Sequence, residues 1–147
     1  MSLKDKLMED LKTSMRERDK LRKDTITMIR AAIKQREVDE RVEMTDEQIL
    51  DIISKQFKEK KSDIEEFKKG NRDDLVDQAK AEMEILLDYM PKQLTDDELR
   101  EIVKETIGEL KIESKAQIGQ LMKNIMPKVK GKADGKQVNR IALELLN

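Results

Sequence analysis

The chain contains no cysteine, no histidine and no tryptophan, and only one tyrosine and two phenylalanines among 147 residues. Without cysteine there are no disulfides and no thiol chemistry. Without histidine the Ser-His-Asp and Cys-His arrangements are excluded, as is a histidine general base. Losing both residues also removes the usual zinc ligands, so no metal site and no cofactor are expected. Long apolar runs are missing too. The longest, as at Ile85-Leu86-Leu87, cover a few residues, whereas a membrane span needs roughly 20. The opening MSLKDKLMED has no apolar signal core. These absences give the expectation of a cytoplasmic protein with no membrane contact.

Charge is abundant instead. Charged residues make up 43% of the chain and hydrophobic ones 37%, with a net charge of −1. So lean an apolar content suits narrow helical layers, in which each helix buries one stripe and solvates the rest. Disorder is the competing outcome for a chain this charged. The recurrence of apolar residues at i, i+3 and i+4 argues against it, and no β-alternation is found.

The pattern divides into helices. A first helix starting at Ser2 carries Leu3, Leu7, Leu11 and Met15. RERDK after it reads equally as a turn or as continuous helix. Asp19 suits the cap of a second helix to about Val42, facing inward with Leu21, Thr25, Met28, Ile29, Ala32 and Ile33. Thr45 with Gln48 forms a capping box. The helix it opens carries Ile49, Ile52, Ile53, Gln56, Phe57, Ile64 and Phe67, with Gly70 placed to end it. At about 24 residues it is roughly 36 Å long. Asn71 and Asp74 start a fourth helix with Leu75, Val76, Ala79, Met83, Leu86, Leu87 and Met90. Pro91 closes it, since the residue before a proline disfavours α geometry.

Beyond Pro91, Thr95 and Glu98 make a second capping box, ahead of Leu99, Ile102, Val103, Thr106 and Ile107. Ser114 with Gln117 suits the start of another helix bearing Ile118, Leu121, Met122, Ile125 and Met126, with Pro127 fraying or kinking its end. Asp134 suits the cap of the last helix, with Val138, Ile141, Ala142, Leu145 and Leu146. The expected fold is all-α: a layer of about four helices over residues 1–91, then a three-helix bundle over 92–147.

Residues 111–147 hold eight Lys or Arg against three Asp or Glu. Lys123, Lys128, Lys130, Lys132, Lys136 and Arg140 cluster around the elbow Gly131-Lys132-Ala133-Asp134-Gly135. A basic end on a nearly neutral chain fits an anionic partner, each cation that meets a phosphate adding salt-dependent affinity. The plainer reading is a solubilising rim. Single-strand binders stack bases on aromatics, and Phe57, Phe67 and Tyr89 all lie outside the basic end. Any RNA contact is therefore to shape and phosphate. Lys115 and Gln120 stand near enough in sequence to approach a 2′-hydroxyl, but nothing selects them.

Other features have structural readings. Asp73-Asp74, Glu65-Glu66 and Asp96-Asp97-Glu98 mostly sit in first helical turns, where the dipole favours negative charge. Adjacent carboxylates on a helix diverge by about 100° and rarely converge on one ion. Ser54-Lys55 and Ser114-Lys115 lack the glycine-rich loop that an oxyanion site needs, so no catalytic residue is assigned. Met28, Met83, Met90, Met122 and Met126 fall on apolar stripes and read as core, though an open layer would leave part of that stripe for a partner.

Several separated segments resemble the GatB/YqeY family: Gly119-Gln120-Leu121-Met122-Lys123, the elbow from Gly131 through Asn139, Leu7 to Lys12, Leu21 to Ile33, and Ile85 to Gln93. The resemblance runs the full chain and is to the stand-alone YqeY-like members. It implies two helical parts, the second similar to the tail domain of the B subunit of the glutamine-dependent Asp/Glu-tRNA amidotransferase. In that enzyme the tail is thought to contact the body of tRNA, while the ligase and glutaminase chemistry lies elsewhere. What the resemblance implies here is tRNA recognition without amide transfer. The matching positions are Lys123, Lys132, Asp134, Gly135, Lys136 and Asn139; the enzyme's tail often has Asn-Pro where Asp134-Gly135 stands. Expected partners are tRNA and an amidotransferase or tRNA synthetase. The alternative is a protein-interaction adaptor with no nucleic-acid role.

Overall fold

A computed structural model describes residues 1–146 and is all-α, with no strand among them. The helices are α1 Leu3–Arg16, α2 Lys20–Glu40, α3 Asp46–Lys69, α4 Asp73–Leu87, α5 Asp96–Leu110, α6 Ile118–Ile125 and α7 Gly135–Leu145. The chain divides into two compact units, Met1–Met90 and Pro91–Asn147.

In the first unit the RERDK segment is a turn. Arg18 takes the left-handed conformation (φ 56°). The amide of Asp19 reaches back to the Ser14 carbonyl at 2.9 Å and that of Arg18 to Met15 at 3.3 Å, which closes α1 with its end carbonyls satisfied. The Asp19 carboxylate then accepts from the Arg22 amide at 3.1 Å and caps α2. The core gathers Leu7, Leu11, Ile26, Ile29, Ile33, Ile49, Ile53 and Leu86 from all four helices. Ile26 and Ile85, absent from the expected stripes, are buried. Met15, Met28 and Leu87, expected inside, are exposed. Ser14 takes the inward place beside Leu11, its hydroxyl donating to the Asp10 carbonyl at 2.6 Å. A helix buries the arc that meets its neighbours, and that arc lies one residue round from the stripe of largest side chains.

α3 and α4 form a hairpin whose far end has its own small cluster of Ile64, Val76 and Ala79, flanked by Phe67 and Met83. Gly70 does stop α3, but with an ordinary φ of −87°. The left-handed residue is Asn71 (φ 56°), where the Arg72 amide bonds to Phe67 at 2.9 Å and the Asn71 amide to Lys68 at 3.1 Å. Asn71 therefore ends one helix and does not cap the next. The cap position of α4 is Arg72, without a side-chain cap bond, and Asp74 pairs with the Arg72 guanidinium at 3.1 Å. Beyond α4, the buried Tyr89 donates its hydroxyl to Asp10 of α1. The Lys6 ammonium lies 5.2 Å from the Tyr89 ring centroid, and Arg22 holds Asp88 at 3.0 Å. These contacts fasten the end of α4 to α1 and α2.

In the second unit α5, α6 and α7 each pack on the other two. Leu99, Val103, Leu121, Ile125, Val129, Val138, Ile141 and Ala142 are fully buried there. Val129 and Ile112, both outside the expected helices, join this core. Both capping boxes form as expected, at Thr45 and Thr95. Ser114 does not cap. The next three residues wind as a 3₁₀ turn, Lys115–Gln117, and the Gln117 amide that a Ser114 hydroxyl would bind is taken by the Ser114 carbonyl at 3.1 Å. Pro127 lies past the end of α6, in the turns that carry Val129 inward.

Candidate nucleic-acid interface

The elbow is a hydrogen-bonded corner. Gly131 has φ 76°, a conformation open to glycine at little steric cost. The amides of Lys132 and Ala133 both bond to the Val129 carbonyl, at 2.8 and 3.1 Å. The Asp134 carboxylate accepts from the Gln137 amide at 2.8 Å and starts α7. The segment ahead of α5 braces the corner. Gln93 donates to the Gly131 carbonyl at 2.7 Å, and the Leu94 amide donates to the Lys132 carbonyl at 2.9 Å. Ala133, Asp134 and Gly135 are half-buried and shape the corner.

The basic side chains at this corner fall into two sets. Arg140 is tied to Asp96 at 3.0 Å and to Glu144 at 3.6 Å. Lys128 reaches the Glu109 carboxylate at 3.4 Å and the Thr106 hydroxyl at 3.2 Å. Asp96 also accepts from Gln137 at 3.0 Å. That bond, followed by the Arg140 guanidinium, holds its carboxyl below the ordinary 3.8. Asp96 thus joins the start of α5 to α7, a clamp across 44 residues of sequence that no local pattern announces. Lys123, Lys132 and Lys136 form the other set. They are exposed and make no ion pair among the described residues. Lys130 is exposed as well, and Asn139 is exposed on α7 one turn after Lys136.

The other candidates sit as follows. Phe57 is buried and Phe67 half-buried on α3, and Tyr89 is buried in the first unit, so no aromatic platform is presented. Asp73, Asp96 and Asp97 occupy first turns. Among the described residues no three acidic side chains gather as a metal site. Between α1 and α2 runs an open groove of about 690 Å³, lined by Lys4, Met8, Thr27, Arg30, Ala31 and Lys34 among others. Lys4 is paired there with Glu37. No described helix is long and apolar enough to cross a membrane.

The chain is 32% identical over 144 residues to "Altered inheritance of mitochondria protein 41, mitochondrial" of Pyrenophora tritici-repentis, covering 96% of this chain and 79% of that protein. The protein of the same name from Lachancea thermotolerans is 34% identical, over 84% of this chain and 58% of its own length. That of Saccharomyces cerevisiae (strain YJM789) is 35% identical, over 81% and 68%. Those names are mitochondrial and lend no support to the cytoplasmic expectation. The family match, to "Yqey-like protein", takes in residues 4–146 and so spans both units and the elbow between Val129 and Asp134. The chain belongs to the YqeY-like family.

Proposed function

We propose that the second unit binds the phosphate backbone of tRNA through the exposed lysines around the elbow, as a recognition module without amide-transfer chemistry of its own. One observation carries the reading. Among the described residues Lys123, Lys132 and Lys136 stand in solvent without an ion pair, while neighbouring Lys128 and Arg140 are held by acids of their own unit. A cation already paired must break that pair to reach a phosphate; an unpaired one releases only counterions. The absence of aromatics at this surface makes the contact one of shape and charge. An amidotransferase or a tRNA synthetase is the partner with which such a module would share its tRNA. Of the proposed set, Lys128 and Arg140 then serve the corner's structure first, and Asn139 stands beside Lys136 as a neutral donor.

The test is tRNA binding across a salt series. Three phosphate contacts contribute roughly 2 to 3 units to the slope of log K against log salt. Replacing Lys123, Lys132 and Lys136 by Gln should lower affinity and flatten the slope by about that amount. Unchanged affinity and slope would sink the reading. A second reading, a protein-docking adaptor, is favoured by the exposure of Met15, Met28, Val38 and Val42 at 56%, 52%, 64% and 50% in the first unit. It predicts a protein partner retained after nuclease treatment and lost on changing Met15 and Met28 to Ser.

A further inference from the structure

The first unit carries a basic surface of its own. It holds 20 Lys or Arg against 23 Asp or Glu, yet residues 12–23 contain six cations and two acids. Of the six, only Arg22 is in an ion pair, with Asp19 and Asp88. Arg16, Arg18, Lys20 and Lys23 make none among the described residues, and neither do Arg30 and Lys34 further along α2. Lys20, Lys23, Arg30 and Lys34 follow one another at spacings of three, seven and four, which places them on one face of the helix over about 21 Å. Arg30 and Lys34 also line the groove beside α1, together with Lys4 and the acids Asp5 and Glu37. The turn that presents Arg16 and Arg18 is held by the Asp19-to-Ser14 bond and the Asp19 cap. The acids close to it are Glu17 and Asp24, both exposed, Asp19, which caps α2, and Asp88, which Arg22 holds.

This placement works against helix energetics. The first turn of α2 has no acidic residue. It bears Lys20 and Lys23 at the positive end of a 21-residue helix, where cations are disfavoured. Elsewhere in the same unit some cations are paired, as at Lys4–Glu37, Arg36–Glu40 and Lys60–Glu82. Unpaired like charge held along one rigid edge fits a polyanion with regularly spaced charges. Two of the leading residues are arginines, whose planar forks suit phosphate oxygens. A lipid surface fits less well. The exposed apolar residues of α1 are methionines seven apart, Met8 and Met15, without the aromatic and leucine content that seats a helix in a bilayer.

We infer that the α1–α2 turn and the basic face of α2 that follows it form a second phosphate-backbone site, so that the chain grips one structured RNA with both of its units. This rests on the tRNA reading of the elbow. Two modest sites on one chain reinforce each other because the second contact becomes intramolecular.

The experiment uses the full chain, tRNA and three variants: the turn set (Arg16→Gln, Arg18→Gln and Lys20→Gln), the elbow set (Lys123→Gln, Lys132→Gln and Lys136→Gln), and both combined. All six positions are exposed, and helical circular dichroism checks that each variant is folded. The expected result is that each set flattens the salt slope by roughly 2 to 3 units and the combination by about twice that, with affinity falling at least tenfold in each single set. Loss in the elbow set alone overturns this inference and leaves the elbow reading standing. Loss in the turn set alone overturns the elbow reading, and with it the grip by both units. No tRNA binding by the unaltered chain overturns both. Binding of the unaltered chain to anionic phosphatidylglycerol vesicles, lost in the turn set while tRNA affinity is unmoved, overturns the RNA assignment in favour of a lipid surface.

Discussion

The two units have buried clusters that share no residue, one built around Ile53 and Leu86 and the other around Leu99 and Ile125. A cavity made in one core should therefore unfold that unit and spare the other. Leu99 is fully buried against the other helices of the second unit. Leu99→Ala removes three buried carbons and should cost about 3 kcal/mol, within the range for leucine truncation in packed cores. The second unit spans 57 residues, for which total stability is on the order of 3–9 kcal/mol. The change thus takes a large share of it, and with a urea slope near ~1 kcal/mol/M the midpoint falls by about 3 M. The composition supplies separate reporters. Tryptophan is absent and the one tyrosine, Tyr89, lies buried in the first unit. Tyrosine emission therefore follows the first unit, while helical circular dichroism also follows α5, α6 and α7, with 15, 8 and 11 helical residues. In Leu99→Ala the dichroism transition should split, its early part moving to low urea while the Tyr89 transition stays. Ile53→Ala, at another fully buried site, should move the Tyr89 transition instead. Equal movement of the Tyr89 transition in Leu99→Ala would refute the separation of the two cores.

Further outcomes follow from individual contacts. Burial, then the hydrogen bond to Asp10, raises the Tyr89 hydroxyl above its ordinary 10.0. The stabilisation from the neutral phenol is therefore complete below pH 10 and lost as pH rises through the folded value. Phenolate absorbance should stay low past that pH until the unit unfolds, and free titration near 10 would contradict this. Asp96 is shifted the other way, so its contribution is present above pH 3.8 and lost as pH falls through its lower folded value. Asp96→Asn should flatten the acid limb of unfolding followed by the dichroism of the second unit; an unchanged limb would count against the clamp. Gly131→Ala should destabilise by about 1–2 kcal/mol because of its left-handed backbone. Gly70→Ala should be neutral or stabilising by about 0.5 kcal/mol, since its φ is ordinary and no atom comes nearer than 3.8 Å to an added Cβ. Thermal unfolding of both glycine variants checks the pair.

The helices and most of their starts, those at Asn71 and Ser114 excepted, were legible because they depend on residues three or four apart. Thr45, Thr95 and Asp134 each accept from an amide three positions on, a geometry that the chain carries locally. Helix ends were less legible. The left-handed residue that closes a helix is Arg18, Arg41, Asn71 or Lys111, and none of these has the freedom of glycine; packing after the turn outweighs the local preference. The same holds for faces. Met15 and Met28 fit an apolar period as well as Ile26 does, yet of the three only Ile26 is buried.

The candidate site divides in the same way. That the end of the chain is basic, poor in aromatics and bent at Gly131-Lys132-Ala133-Asp134-Gly135 is a property of the residue order alone. Which cations remain unpaired was decided only when the helices packed. The acids that hold Lys128 and Arg140, Glu109 and Asp96, lie 19 and 44 residues away. Side-chain pairs across such separations depend on how α5, α6 and α7 are brought together, because charge pairing acts over a few ångströms of space and takes no account of distance along the chain.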